Sequence, residues 1–508
     1  MKVKCKHLMV LCLAILLISL LAAAAPGQEI FQFQAHKTKL EVLPESTFTA
    51  RFGANPDVPR TDAGIIALAR KLYPPPGEQQ PELGAKRPAA RLHRSREYEL
   101  GVLFAALQNP AISDLTRQQV DLIIQETIPP LPKTYTSGHY KFNYTDNNRN
   151  LDHNVTLAQI QDTAAKLNSY WDTYSANFKT PKHYNSGGEE MLDINVYYLG
   201  DGLFGETGSG LDYINLSSKL TVRDPCKRRT VSAHELFHRV QYSYGYISGT
   251  ARMLWIVEGT ADWAMRYTNI GIRDYMDTMN DGLKAPNVNL IKDRDYDACH
   301  FWVYLQELAG TWAALKDLWV AYEDNGKNGK AAVNTVTTKR LNKTFDQFAQ
   351  TWIKANYLKD LDNAGDYGYD ENKVSQTTCG VTHGPLILVP RTTQAIADNS
   401  TSFSLDRTVL PYGANYFDFP LGADLTQLRV RVTGEESGNF SYHFIGVKNN
   451  SWQSIINRSV DDYTYSKTLA SGQWDRLVLV VAGKSKGGDY TIKVGPQNEG
   501  RGTFPATP

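Results

Sequence analysis

Hydrophobic positions recur at three- and four-residue spacing through the first part of the chain and every second residue through the last. "DAGIIALARKLY" and "SREYELGVLFAAL" carry the helical period, with "PPPGEQQPELG" between them as a linker. "LTRQQVDLIIQETI" predicts a further helix, stopped by "PPLP". Residues 30–132 therefore read as a helical N-terminal region, and the pattern leaves open whether it is a cleavable propeptide or a permanent subdomain. From about Tyr135 the texture changes. "HYKFNYT" alternates like a strand, "LAQIQDTAAKLNSYWDTYSANF" is a long amphipathic helix, and "MLDINVYYLG" and "GLDYINLSS" predict two more strands. A run of helices follows to about Asp360. Residues 135–378 are thus expected to form an α+β domain, a mixed sheet against helices. Beyond Cys379 the period falls to two. "QLRVRVTG", "NFSYHFIGV", "RLVLVVAG" and "DYTIKVG", separated by Gly- and Asp-rich turns, predict an all-β sandwich over 395–497.

Composition adds a compartment. Lys2, Lys4 and Lys6 precede the apolar run Leu8 to Leu21 and then "AAAAPGQ", the layout of a signal peptide over residues 1–25. The run is shorter than the ~20 residues of a membrane span, so the mature protein is expected to be secreted, periplasmic or extracellular, with no integral membrane segment. Loss of the three leader lysines leaves 51 basic against 53 acidic residues, from 54 and 53 in the whole chain. With no block of like charge, nothing recommends nucleic acid as a partner. Cys226, Cys299 and Cys379 would remain, enough for one disulfide and one leftover thiol, in a pairing the sequence leaves open. Their spacing does not suit a thiolate zinc site. Asn-x-Ser/Thr sequons such as Asn143, Asn154 and Asn342 matter only in a host that glycosylates exported proteins.

The candidate chemistry sits in "TVSAHELFHRVQYSYGY". His234 and His238 are four residues apart, so on a helix they project from one face and can grip one ion. Asp224-Pro225 supplies a helix start and Gly245 a stop. Two histidines leave zinc short of a protein ligand. Twenty residues on, "WIVEGTADWAM" offers Glu258 and Asp262, again four apart. One carboxylate can complete a His₂Glu set, and the other can accept the free N–H of an imidazole.

"HELFH…EGTAD" resembles the gluzincin zinc metallopeptidases, the thermolysin-like and M1-like group, over residues 135 to 360. The resemblance implies a zincin-like catalytic domain with an active-site helix and a helical lower half. It implies Zn²⁺ held by His234, His238 and Glu258, Glu235 as general base, and Asp262 orienting a histidine. "RDYDACHFWVYLQELAG" is similar to the segment of M1-like enzymes whose tyrosine stabilises the transition state, which puts that role on Tyr296. Cys299 and His300 depart from the family's Gly-Ala there, and His300 competes for the same role. By the same resemblance "GLDYINLSS" would be the edge strand along the cleft. No G-x-M-E-N exopeptidase signature occurs, so an endopeptidase acting on protein or peptide is expected. Two alternatives stand beside it. One is an inactive zincin-fold surface or binding protein, whose sandwich aromatics Tyr412, Tyr416, Tyr442 and Trp452 would face a protein, cell surface or glycan. The other is zinc-dependent hydrolysis of something other than a peptide.

Overall fold

The first described segments are helices whose starts are written in short polar side chains. The computed structural model describes residues 45–52, 55, 57–74, 96–183, 191–209, 213–247, 252–269, 271–370, 376–378, 381–435, 439–460 and 462–495. All belong to one unit beginning at Thr38. The signal peptide, the "PPPGEQQPELG" linker beyond its first proline, and Cys379 lie outside the described residues. Helices α1 (Glu45–Phe52), α2 (Asp62–Leu72), α3 (Arg96–Leu107) and α4 (Asp114–Thr127) make up the N-terminal region. Thr61 and Ser113 accept from the backbone N–H groups of Gly64 and Thr116 and so cap α2 and α4. The apolar faces enclose a core of their own, with Ile65, Leu72, Leu103, Phe104 and Val120. Tyr213, far along the chain, joins that core.

The expected mixed sheet follows. Strands β1 (Lys133–Ser137), β2 (Tyr140–Tyr144), β3 (Leu192–Tyr197), β4 (Gly205–Thr207) and β5 (Tyr213–Ser217) lie in the order β1-β2-β3-β5-β4. The β2, β3 and β5 pairings are parallel, while β1 and β4 run antiparallel at the edges. This corrects one expectation: "GLDYINLSS" forms β5, an interior strand, and the edge is β4. A three-residue strand is too short to show a period of two, so its sequence, "GET", gave no signal. Helix α5 (Leu157–Asn177), opened by a Thr156/Gln159 capping box, shares one core with the apolar sides of these strands. Also in that core are α6 (Lys227–Ser243) and α7 (Leu254–Thr268). The helical half continues through α8 (Tyr275–Lys284), α9 (Leu290–Asp293), α10 (Cys299–Ala309), α11 (Ala313–Asp324), α12 (Gly329–Leu341) and α13 (Phe345–Leu358). Cys226 is disulfide-bonded, whereas Cys299 is a buried thiol. Among the described residues no helix is long and apolar enough to cross a membrane.

A small hairpin, β6 (Gln376–Thr378) and β7 (Val381–His383), precedes the C-terminal strands. These are β8 (Thr392–Thr393), β9 (Phe403–Val409), β10 (Ala414–Pro420), β11 (Gln427–Gly434), β12 (Phe440–Lys448), β13 (Ser451–Arg458), β14 (Asp462–Thr468), β15 (Arg476–Gly483) and β16 (Gly488–Val494). They form two sheets, β13-β12-β15-β10-β8 and β14-β11-β16-β9. The expected alternation holds in the second sheet only. In β12 and β15 nearly every position is buried. Ile445, Val478 and Val480 pack into the core shared with the helices, while Phe444, Leu479 and Val481 pack into the core between the two sheets. The region is therefore the middle and outer layers of a stack whose third layer is the helical half.

The aromatics expected to face a glycan are on the inside of that stack. Tyr412, Tyr416 and Tyr442 are 2%, 2% and 0% exposed. Tyr412 Oη donates to Asp346 (2.8 Å), Tyr416 Oη donates to the Ile353 carbonyl (2.8 Å), and the half-buried Trp452 donates through Nε1 to the Asn363 carbonyl (2.8 Å). Tyr412, Tyr416 and Trp452 thus tie the sandwich to the helical part, while Tyr442 packs in the core between the two sheets, so the three tyrosines do not face outward.

Candidate functional site

Helix α6 is fixed at both ends and along its length. The Asp224 carboxylate accepts from the backbone N–H of Cys226 (2.8 Å) and Lys227 (2.9 Å), the capping role its position before Pro225 suggests. Gly245 takes a left-handed φ of 80° just beyond the last turn. Arg228 donates to Asp162 on α5 (2.6 Å), and Tyr174 on α5 donates to the Ala233 carbonyl (3.0 Å). A helix held at this many points gives its inward side chains little freedom.

The inward face carries His234 and His238, and α7 supplies Glu258 opposite. One nitrogen from each ring and one carboxylate oxygen lie within 4.8 Å of one another. The two Nε2 atoms are 3.0 Å apart, and Glu258 Oε2 is 3.5 Å from the first and 3.6 Å from the second. The far side of each ring settles its tautomer. His234 Nδ1 is 2.8 Å from Asp262 Oδ1, which can only accept. His238 Nδ1 is 2.8 Å from Gln241 Oε1, while the Gln241 amide nitrogen donates to the Val257 carbonyl (2.8 Å) and Thr260 Oγ1 (3.1 Å). Both Nδ1 atoms therefore carry hydrogens, and both Nε2 lone pairs point at one spot beside a carboxylate.

Such a set needs a positive charge at its centre. Glu258 is fully buried and Asp262 is 2% exposed, where an uncompensated carboxylate costs several kcal/mol. Burial pushes the His234 imidazole down, but hydrogen bonds to Asp262 and Glu258 and the nearby Glu235 outweigh it and hold the ring well above its usual value. Burial, then the charge on His234, pushes His238 down to about 4. Two imidazole nitrogens and one carboxylate are the donor set that suits Zn²⁺ with a position left open, so the residues fit the metal.

Glu235 lies beside this point and is 6% exposed. A methyl group on Gly205 of the edge strand β4 would stand 2.6 Å from Glu235 Oε1, so the glycine leaves the space that the carboxylate uses. Tyr296 stacks on His234, with ring centroids 5.7 Å apart and planes inclined by 26°. The fold thus gathers every site residue expected from the sequence around His234. His300, the competitor of Tyr296, is turned elsewhere. Its Nδ1 is 2.6 Å from the Asp297 carbonyl and its ring packs on Trp352. Burial, helped by Arg294, holds it well below its usual value and therefore neutral. Sequence reasoning missed two contributors. Gln241 drew no attention as a partner of His238, although its place three residues after that histidine puts it on the same helical face. Gly205 gave no signal at all.

No family model matches the chain, and no curated protein does. Among solved structures, the Yersinia pseudotuberculosis-derived mitogen is 11% identical with a TM-score of 0.17, over 22% of this chain and 98% of its own. The pre-peptidase C-terminal domain of a Bacillus anthracis collagenase is 13% identical with a TM-score of 0.16, over 21% of this chain and 96% of its own. The Aeromonas hydrophila periplasmic lysozyme inhibitor PliG is 12% identical with a TM-score of 0.16, over 21% and 98%. Likenesses this slight carry no argument about function.

Proposed function

We propose that this chain is an exported zinc-dependent peptidase of gluzincin type, an endopeptidase acting on protein or peptide substrates. One observation carries the reading: three electron-pair donors from His234, His238 and Glu258 converge within 4.8 Å with both imidazole protons turned outward. When bound there, Zn²⁺ supplies a Lewis acid that polarises a carbonyl and brings the pKa of a water toward ~7. The chain's own groups do the rest. Asp262 and Gln241 hold the two rings with their lone pairs inward. Glu235 takes the proton from the attacking water and returns it to the leaving amine. Tyr296, placed against His234, donates its phenolic hydrogen to the oxygen that gains charge; one such donor is typically worth ~10²–10³ in rate.

Glu235→Gln keeps the three metal-facing donors and removes the proton acceptor. The purified variant is expected to hold about one zinc per chain, like wild type, and to cleave a quenched peptide at least ~10³-fold more slowly. Wild-type protein without zinc would remove the proposal. Zinc without cleavage of any peptide would point instead to a binding role or to another hydrolysis.

A further inference from the structure

On the sheet face opposite α6, four side chains form a line across four strands. Asn143 of β2 faces Asn195 of β3, Asn195 faces Asn215 of β5, and Asn215 faces Glu206 of β4, each pair directly in register. The amides donate in one direction: Asn143 Nδ2 to Asn195 Oδ1 (3.0 Å), Asn195 Nδ2 to Asn215 Oδ1 (3.1 Å) and Asn215 Nδ2 to Glu206 Oε1 (2.8 Å). Their exposures are 6%, 3%, 0% and 3%. A buried polar side chain that loses its partner costs about 1–3 kcal/mol, so this line resists any change of register. The buried amide of Asn143 is also committed as a donor, which takes its sequon out of play in the folded chain.

The line ends on the strand that needs it most. β4 has three residues and one neighbour, too few backbone hydrogen bonds to fix its own register. Side chains alternate across a strand, so slipping β4 by one residue would exchange the faces of Gly205 and Glu206. Gly205 would then turn away, and a full side chain would meet Glu235 where even a methyl comes within 2.6 Å. We propose that Glu206 is a positioning residue: by accepting from Asn215 it locks the register of β4, which keeps Gly205 opposite Glu235 and the carboxylate in its working place. The catalytic part of this inference rests on the peptidase reading, but the register part does not.

The experiment compares wild type, Glu206→Leu, Glu206→Gln and Gly205→Ala, using amide hydrogen exchange, zinc content and peptide cleavage. Glu206→Leu is expected to speed exchange in residues 205–207 at least ~10-fold and to lower kcat by about 10-fold or more, with zinc content unchanged. Glu206→Gln, which still offers an acceptor, restores both toward wild type. Gly205→Ala lowers kcat without changing exchange, and carries the catalytic arm if Glu206→Leu does not fold. A Glu206→Leu protein that only melts at lower temperature, with exchange in β4 and kcat unchanged, would overturn the proposal. So would accelerated exchange with unchanged kcat. If wild-type protein cleaves no peptide, the peptidase reading fails by itself. Exchange in the zinc-free variants then still decides whether Glu206 sets the register.

Discussion

At the scale of single residues, the site depends on which nitrogen of each histidine carries a hydrogen. Asp262 could be assigned to this task from its spacing to Glu258, but Gln241 could not, because an amide has no fixed direction until its other contacts are known. Here its nitrogen donates to Val257 and Thr260, so its oxygen must accept from His238. Gln241→Leu removes that acceptor and lets the His238 ring turn or change tautomer. Zinc affinity, read by competition with a chromophoric chelator, is expected to fall about 10–100-fold, the usual effect of losing such a partner. Gln241→Glu, which keeps an acceptor, should lose much less. Equal affinity in Gln241→Leu and wild type would mean that Gln241 only packs. The meeting of His234 and His238 was legible because i, i+4 spacing on a helix converts directly into a shared face. Gly205 was not, because its importance lies in what it lacks.

At the scale of elements, a repeating pattern was legible in proportion to its length. Helix α5 and strands β11 and β15 fall almost where the periodicity puts them, whereas β4 and β8, with three and two residues, have no period to read. The meaning of a pattern was harder to read than its presence. "RLVLVVAG" is an almost unbroken apolar run, and in β15 the reason is that both faces are covered. Adjacent positions should then be equally sensitive. Val480→Ala, on the helix side, and Val481→Ala, on the sandwich side, are each expected to cost about 1–3 kcal/mol in chemical denaturation. Lys493→Ala on the exposed side of β16 should stay within about 0.5 kcal/mol. A large difference between the two valines would mean that one of the two packed layers is not formed.

At the scale of the whole molecule, the joint between sandwich and helices is itself a titrating element. His443 of β12 sits in it, donating through Nδ1 to Asn457 Oδ1 (2.7 Å), with Nε2 3.1 Å from the side-chain amide of Gln350 on α13. The cation facing it is Lys354 of α13, whose Nζ lies 3.3 Å from the same Asn457 oxygen. Burial, then the charge of Lys354, pushes His443 down to about 3. Burial in turn, with Lys343 nearby, pushes Lys354 down to about 8. The folded joint therefore holds His443 neutral at every pH where the unfolded chain, with an ordinary value near 6.5, begins to take up a proton. The unfolded state then binds more protons, so stability falls as pH drops. This contribution is fully present above about 6.5 and is lost progressively down to about 3. Between pH 7 and pH 5 it amounts to roughly 2 kcal/mol for this one group. His443→Gln, with nothing to protonate, should lose less stability over that interval by about this amount. The readout is the shift of the urea midpoint of tryptophan fluorescence in each protein. Equal shifts in the two proteins would place His443 outside the buried joint, and the three-layer packing of the C-terminal half would have to be redrawn.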